Sequence, residues 1–327
     1  MTTVNTPEIP AHGAQARPPL ALIAGPTASG KSDCAIGLAR ALMARRREAV
    51  IINADSAQVY ADLGVLSARP SAAEMAGIAH RLFGAWDGAQ GCSAADWAGA
   101  ARAEITQAHA RGAVPILVGG TGLYLRTLLD GIAPVPPIDA AVREVVRAMP
   151  VAEAYAALQA EDPARAAALA PTDTTRVARS LEVIRATGRT LAQWQEQRAG
   201  GIGGEVALHP LVLIPERDWL YRRCDARFAA MLEGGAVAEV ELLLERGLDP
   251  AAPVMRAIGV SEISGWLRGE WDRDEALRRG QQATRNYAKR QFTWLRHQPP
   301  PDWPRVTPET VDLNASFALL LRESGLT

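Results

Sequence analysis

Short apolar runs alternate with longer helical patterns along much of the chain. The clearest runs are LALIAG (20–25), AVIINAD (49–55), AVPILVGG (113–120) and HPLVLIP (209–215). They are nearly continuous in hydrophobicity, which is typical of strands covered on both faces. The amphipathic stretches between them are long enough for helices, the first from about Lys31 to Arg47. Strands alternating with helices predict an α/β fold with a parallel sheet flanked by helices.

This alternation stops at IAPVPPIDA (132–140), where three prolines interrupt the pattern. Only helical patterns follow until GGIGG (200–204). A helix-only segment between strands of one sheet predicts an all-helical insertion domain. The residues before LALIAG are rich in Pro, Ala and Thr and lack the apolar region of a signal peptide. The predicted division is a disordered tail (1–19), a sheet-containing core (20–131 and 205–297), a helical insertion (132–204) and a C-terminal tail (298–327).

Composition and charge are ordinary for a globular protein, with 48% apolar and 22% charged residues. The net charge of -1 gives no overall attraction to nucleic acid, so any such surface must be a local patch. Cys34, Cys92 and Cys224 are far apart, which argues against a zinc ribbon and a disulfide framework. No apolar run reaches the roughly 18 residues of a membrane span. We therefore expect a cytoplasmic protein without membrane association.

The stretch GPTASGKS (25–32) matches the phosphate-loop pattern G-x-x-x-x-G-K-[ST] between the first predicted strand and helix. Its glycines let successive backbone N–H groups converge on a phosphate, and the helix N-terminus adds positive potential. A simple Gly/Ser turn with a surface lysine is the alternative. Lys31 would supply a point charge and Ser32 a hydroxyl for Mg²⁺. The predicted phosphate-binding residues are Gly25, Pro26, Thr27, Ala28, Ser29, Gly30, Lys31 and Ser32.

The usual companions of a nucleotide site are missing. No N-K-x-D motif is present, and the run at 113–120 is followed by no acidic residue for a hydrolytic magnesium site. The acidic residue instead ends the second run, in IINADSAQVY. Because the carboxyl ends of parallel strands line one crevice, Asp55 should face the phosphate loop.

Basic residues gather in local groups, the longest of them near the end of the predicted helical region. Arg278, Arg285, Lys289 and Arg296 repeat at helical spacing and form a stripe. We favour contact with RNA phosphates over a merely solvated helix face. The interleaved aromatic residues, Tyr287, Phe292 and Trp294, are better explained by core packing than by base stacking.

Six separated motifs, taken together, resemble the tRNA dimethylallyltransferases, also called tRNA isopentenyltransferases. They occur in the family's order and cover residues 20–296. The motifs are GPTASGKS, DSAQVY (55–60), VGGTGLY (118–124), R-V-A-R-S-L-E-V-x-x-x-T-G-R (176–189), MRAIGVSE (255–262) and TRNYAKRQFTWLR (284–296). The resemblance implies a core with a P-loop NTPase-like sheet.

The resemblance also implies a reaction. The loop would hold dimethylallyl diphosphate, and the acceptor would be the N6 amine of the adenosine 3′ of a tRNA anticodon, with Mg²⁺ assisting. The departing diphosphate needs cationic and backbone donors, which Lys31 and the loop supply. Either Arg223 or Arg227, four residues apart, is a further candidate, and Arg227 is preferred. The amine needs a carboxylate to take its proton, a role that Asp55 fits better than capping a turn or supporting magnesium. Thr121 would hydrogen-bond the amine or the diphosphate, with a plain helix N-cap as its alternative.

Contacts to the tRNA anticodon stem-loop are implied for residues from several motifs. Gln58 has an amide able to read an adenine edge, although a solvated loop residue is its alternative. A monomer is expected. The implied tRNA-contacting residues are Asp55, Ser56, Ala57, Gln58, Thr121, Arg143, Thr175, Arg176, Arg179, Arg256, Gly259, Arg285 and Lys289.

The chain departs from the family pattern in two places. GVLSARP (64–70) stands where the family has D-I-G-T-A-K-P, and in AHRLFG (79–84) Gly84 replaces an acid.

Three other functions remain as alternatives: prenyl transfer to free AMP, ADP or ATP, a P-loop kinase, and a nucleotide-dependent RNA-binding protein. The helical insertion and the basic stripe argue against a small acceptor, which needs no long arm.

Overall fold

A computed structural model describes residues 17–322, so most of the predicted N-terminal tail (1–19) lies outside the described residues. Six parallel strands form one sheet in the order β3-β2-β4-β1-β5-β6. The strands are β1 (Pro19–Ala24), β2 (Ala49–Ala54), β3 (Ala79–Arg81), β4 (Val114–Gly119), β5 (Ala207–Leu213) and β6 (Arg305–Val306). Every residue of β2 and β4 is buried, as their continuous apolar sequences predict.

Helices occupy most of the remaining chain, and the predicted parallel α/β fold is confirmed. Short 3₁₀ helices cover Val254–Arg256 and Pro308–Thr310. The α-helices are α1 (Lys31–Met43), α2 (Ala94–Ala110), α3 (Gly122–Asp130), α4 (Ala140–Ala148), α5 (Val151–Glu161), α6 (Pro163–Ala167), α7 (Thr174–Thr187), α8 (Leu191–Gln195), α9 (Arg217–Glu233), α10 (Ala236–Glu245), α11 (Val260–Leu267), α12 (Arg273–His297), α13 (Leu313–Ser316) and α14 (Ala318–Arg322).

The chain forms two compact units. Of the described residues, the first contains 17–91, 103–120 and 204–322, and it holds all six strands. The second contains 92–102 and 121–203. It has a small apolar core of its own, in which Leu158, Val177 and Leu181 are fully buried. The second unit therefore includes α3 and part of α2 in addition to the helices of the predicted insertion.

The expectation of a C-terminal tail over 298–327 is wrong for the described part of that segment. Arg305 and Val306 pair with the edge of β5 as strand β6. Phe317 and Leu320 are buried in the same apolar cluster as Leu38 of α1. A two-residue strand and helices of four or five residues are too short to show a hydrophobic period, and β3 was missed for the same reason.

Helices α9 and α12 pack closely at Gly280, so this contact can be tested by mutation. A Cβ atom added to Gly280 would lie 1.9 Å from Cζ of the buried Phe228 ring. Alanine normally stabilises an exposed helix interior by about 1 kcal/mol relative to glycine, but overpacking a buried contact costs about 1–3 kcal/mol. We expect Gly280→Ala to lower the urea-unfolding midpoint. The matched control Gly99→Ala, in α2 with open space around the new methyl group, should leave it unchanged or raise it.

Candidate active site

The phosphate loop opens into a cavity of about 1250 Å³ in the first unit. Residues 27–32 form one side of this cavity, and Asp55 and Arg227 also line it. Much of the segment 64–76 completes the lining. The structure therefore brings most of the predicted phosphate-binding residues and the predicted base together around one cavity, whereas Gly25 and Pro26 do not line it.

The loop has the backbone geometry that the motif predicts. Gly30, with φ 82°, is left-handed and precedes the first turn of α1. Ala28 also has a positive φ, of 61°, which is uncommon for a residue with a side chain and marks strain at functional loops. Gly25 is required for space, because a Cβ there would lie 2.5 Å from Oγ of Ser29.

Lys31 is buried in the first turn of α1, and its Nζ donates a hydrogen bond to the Pro26 carbonyl at 3.3 Å. Burial lowers the pKa of Lys31 from 10.5 to about 8. The nearby carboxylate of Asp55 opposes that shift, whereas the positive charge of Arg227 adds to it. A bound anion would replace the solvation that this ammonium group has lost.

Asp55 follows directly after β2 and is buried. Its Oδ1 accepts the N–H of Ala57 at 3.0 Å, and its own N–H donates to Oδ1 of Asn53 at 2.9 Å. Nδ2 of Asn53 donates to the carbonyls of Asp55 and Leu82. The Asn53 amide thus fixes the turn that presents the carboxylate, although sequence patterns alone did not identify it.

Two arginines of α9 frame the loop. Nε of Arg223 donates to the carbonyl of the strained residue Ala28 at 2.9 Å, and its guanidinium lies over the ring of Trp219. Arg227 is half-buried and lines the cavity. It has no ion-pair partner within residues 17–322, so its guanidinium can bind an anion. Arg223 therefore supports the loop, and Arg227 remains the candidate for phosphate contact.

Gln58 lines the cavity, but its amide nitrogen is already occupied. Nε2 donates to the carbonyls of Ser67 at 3.0 Å and Ala68 at 2.9 Å. These bonds fasten the cavity wall and use the amide nitrogen, so contact between Gln58 and an adenine edge would involve the amide oxygen and stays a prediction. Glu239 of α10 holds the same wall, since its carboxylate accepts the N–H groups of Val65 and Leu66.

The two departures from the family pattern meet in the structure. Nη1 of Arg69 donates to the Tyr60 carbonyl at 3.1 Å and lies against Gly84. A Cβ at position 84 would lie 2.0 Å from Nη1, and Gly84 has a φ of 60°. The arginine therefore occupies space that a side chain at position 84 would need, so each departure accommodates the other.

Gln291 contacts the phosphate loop, although it was not among the residues selected from the sequence. It lies in α12, is 5% exposed, and its Oε1 accepts the N–H of Thr27 at 2.7 Å. A Cβ at Gly120 would lie 2.6 Å from Nε2 of Gln291 and 2.4 Å from the Gly25 carbonyl. Gln291 thus sits between the start of the phosphate loop and the end of β4.

Five of the predicted site residues belong to the second unit. Thr121 is the N-cap residue of α3 but makes no side-chain cap hydrogen bond, which weakens the plain N-cap alternative. Arg143 and Thr175 are exposed. Arg176 lies 3.4 Å from Asp173, and Arg179 lies 3.7 Å from the buried Glu182. Their tRNA contacts stay predictions.

The remaining predicted tRNA residues have varied surroundings in the first unit. Ser56 and Ala57 are half-buried beside Asp55, and Arg256 and Lys289 are exposed. Asp55 and Gln58 make the hydrogen bonds given above, and Arg285 forms an ion pair with Asp225. Gly259 is buried, and a Cβ there would lie 2.5 Å from a methyl group of Leu66, so close packing requires the glycine.

Two of the four basic side chains in the α12 stripe form ion pairs, so the stripe is less available to RNA than its spacing suggested. Arg285 forms an ion pair with Asp225 of α9, and Arg278 is paired with Glu275 one turn earlier. Phe292 is buried as expected, whereas Tyr287 and Trp294 are half-buried. Lys289 and Arg296 are exposed and have no ion-pair partner within residues 17–322, so they have the strongest structural support within the stripe as RNA-phosphate contacts.

Within residues 17–322, no three His, Cys, Asp or Glu side chains are grouped to hold a metal ion. Magnesium commonly keeps several waters and takes one or two protein oxygens besides those of a bound phosphate. The exposed hydroxyl of Ser32 and the carboxylate of Asp55 line the cavity and offer such oxygens. These residues fit a magnesium ion that is held together with a diphosphate.

No helix within residues 17–322 is long and apolar enough to cross a membrane.

Comparison with known proteins identifies the family. The profile of the IPP transferase family matches residues 58–298. A tRNA dimethylallyltransferase of Erythrobacter litoralis is 67% identical over 90% of this chain and 93% of its own length. One from Novosphingobium aromaticivorans is 66% identical over 86% of this chain and its full length.

Solved structures agree with the sequence comparison. A tRNA isopentenylpyrophosphate transferase from Bacillus halodurans has a TM-score of 0.64 and 31% identity, covering 93% of this chain and 95% of that one. A eukaryotic dimethylallyltransferase, described as acting on tRNA, has a TM-score of 0.77 and 27% identity, covering 93% of this chain and 78% of that one. The chain belongs to the IPP transferase family, and specifically to its tRNA dimethylallyltransferases.

Proposed function

We propose that the protein transfers a dimethylallyl group from dimethylallyl diphosphate to the N6 amine of a tRNA adenosine and releases pyrophosphate. The observation that carries this proposal is the cavity that joins the phosphate loop to Asp55, with Lys31 and Arg227 beside them. A phosphate cradle next to a buried carboxylate supplies both what the departing diphosphate needs and what the incoming amine needs.

On the donor side, the bond between the allylic carbon and the diphosphate oxygen breaks, and its electron pair leaves with the diphosphate. The loop N–H groups, Lys31 and Arg227 stabilise the charge that develops on that oxygen. Magnesium bound near Ser32 would neutralise a further part of the charge. Because Lys31 is buried in the free protein, its interaction with a diphosphate is little screened by water.

On the acceptor side, the lone pair of N6 forms the new bond to the allylic carbon. The nitrogen then carries an extra proton, which passes to the carboxylate of Asp55. The base must leave its stack to reach such a site, a cost that enzymes acting on bases commonly accept. Thr121 is proposed to hydrogen-bond the amine or the diphosphate.

The finer assignments belong to the same proposal. They are the adenosine 3′ of the anticodon as acceptor, contact with the anticodon stem-loop, a monomeric state and a cytoplasmic location. The high identity to tRNA dimethylallyltransferases supports the first two, and the cysteine pattern supports the last.

A product assay distinguishes this function from its alternatives. The protein is incubated with dimethylallyl diphosphate, Mg²⁺ and either unmodified tRNA or AMP, and both pyrophosphate and N6-prenylated adenosine are measured. We expect one pyrophosphate for each prenylated adenosine with tRNA and none with AMP. Prenylated AMP would favour the adenylate isopentenyltransferase, and turnover of ATP without a prenylated product would favour the kinase.

A further inference from the structure

Among the described residues, the oxygen of the Gln291 side-chain amide has a hydrogen-bond partner and the nitrogen has none. Its partner in the phosphate loop, the Thr27 N–H, is a donor, so the atom facing the loop must be the amide oxygen. Nε2 then points the other way. It is buried, and among the described residues it has no hydrogen-bond partner. The orientation of this side chain is therefore dictated by the loop and not by the surroundings of its NH₂ group.

A buried amide without a partner for its NH₂ group is costly, so its retention calls for an explanation. Methionine has a similar shape and would avoid that cost, but it cannot accept the Thr27 N–H. The contact with Thr27 joins α12 to a loop 264 residues earlier in the chain. It also removes the Thr27 N–H from the groups that can face the cavity, which leaves the following loop amides to bind phosphate.

We propose that Gln291 is a positioning residue that sets the conformation of the phosphate loop for diphosphate binding. It acts through the Thr27 N–H and does not touch the reacting atoms. Gly120 completes the arrangement, because any side chain there would strike both the Gln291 amide and the Gly25 carbonyl. The proposal rests on the proposed function only in taking the bound anion to be a diphosphate.

The first test measures the dissociation constant of pyrophosphate with Mg²⁺ by calorimetry, which does not depend on prenyl transfer. We expect Gln291→Met to weaken pyrophosphate binding about tenfold, as the loss of about 1.4 kcal/mol from one hydrogen bond predicts. Affinity for tRNA should stay within twofold. The control Gln107→Met, on an exposed position of α2, should change neither value.

A conservative variant separates positioning from simple core filling. Gln291→Glu keeps an oxygen for the Thr27 N–H but becomes negatively charged when it ionises. We expect its pyrophosphate affinity to approach the wild-type value as the pH falls towards 5.5 and the carboxyl group becomes protonated. The affinity of Gln291→Met relative to wild type should not recover over the same range.

Two results would overturn the proposal. One is wild-type pyrophosphate affinity in folded Gln291→Met. The other is equal impairment of the Met and Glu variants at every pH, which would mark Gln291 as core filling. If Gln291→Met fails to fold, the pH series of Gln291→Glu alone decides. Pyrophosphate binding that behaves as expected in a protein that prenylates no tRNA would reject the proposed function and leave the role of Gln291 intact.

Discussion

Asp55→Asn is expected to lower the rate of prenyl transfer by about 10²–10⁴-fold while leaving tRNA affinity within a few-fold of wild type. The amide is nearly isosteric and retains an oxygen for the Ala57 N–H, so the turn after β2 should persist. It cannot take up the proton of N6 at neutral pH. The measurement is single-turnover transfer to unmodified tRNA with both substrates saturating.

Loss of a negative charge from the cavity could also alter donor binding, so the control removes a different carboxylate. Glu74 is exposed and lines the same cavity, where it accepts hydrogen bonds from Ser71. Glu74→Gln should change the transfer rate by no more than a few-fold. A near-normal single-turnover rate in Asp55→Asn would exclude Asp55 as the base.

Lys31→Met is expected to weaken donor binding and to slow transfer by about 10²–10³-fold, because a charged donor to the leaving diphosphate is lost. The wild-type protein should also bind dimethylallyl diphosphate less well as the pH rises through about 8, because Lys31 of the ligand-free protein has a pKa of about 8 and loses its positive charge there. A bound diphosphate favours the ammonium form, so protonation and binding strengthen each other. Lys31→Met should lack this pH dependence.

The sequence contains only two lysines, Lys31 and Lys289, against many arginines, and this provides a matched pair. Lys289→Met is expected to reduce tRNA affinity and its salt dependence, with donor affinity unchanged. Equal donor affinity in Lys31→Met and wild type across pH 7–9.5 would remove Lys31 from diphosphate binding. Titration of donor binding by calorimetry measures both variants.

The parts of the site that follow local rules could be predicted from the sequence. The phosphate loop is a contiguous motif between a strand and a helix, and Asp55 follows the next strand at the same sheet edge. Parallel-sheet topology alone places the two together. Arg227 could be named only as one of two arginines on the same helix, because spacing does not show which of them enters the cavity.

The supporting contacts could not be predicted, because they join residues that are distant in sequence. Glu239 reaches a loop 174 residues earlier to bind Val65, and nothing in either segment indicates the other. The same limitation applies to Gln58. Its amide nitrogen donates to the carbonyls of Ser67 and Ala68, which lie in a loop with no recognisable motif. Spacing on α12 showed the row of positive charges but could not show that Asp225 neutralises Arg285.

The long-range contact between Thr27 and Gln291 has a consequence for synthesis. The ribosome synthesises the phosphate loop among the first few dozen residues of the folded region. Gln291, whose side chain accepts a hydrogen bond from that loop, is synthesised only near the end. Domains generally fold as units as they leave the ribosome, so this one must wait for α12. We therefore expect nascent chains that end before α12 to bind the prenyl donor more weakly than chains that include this helix.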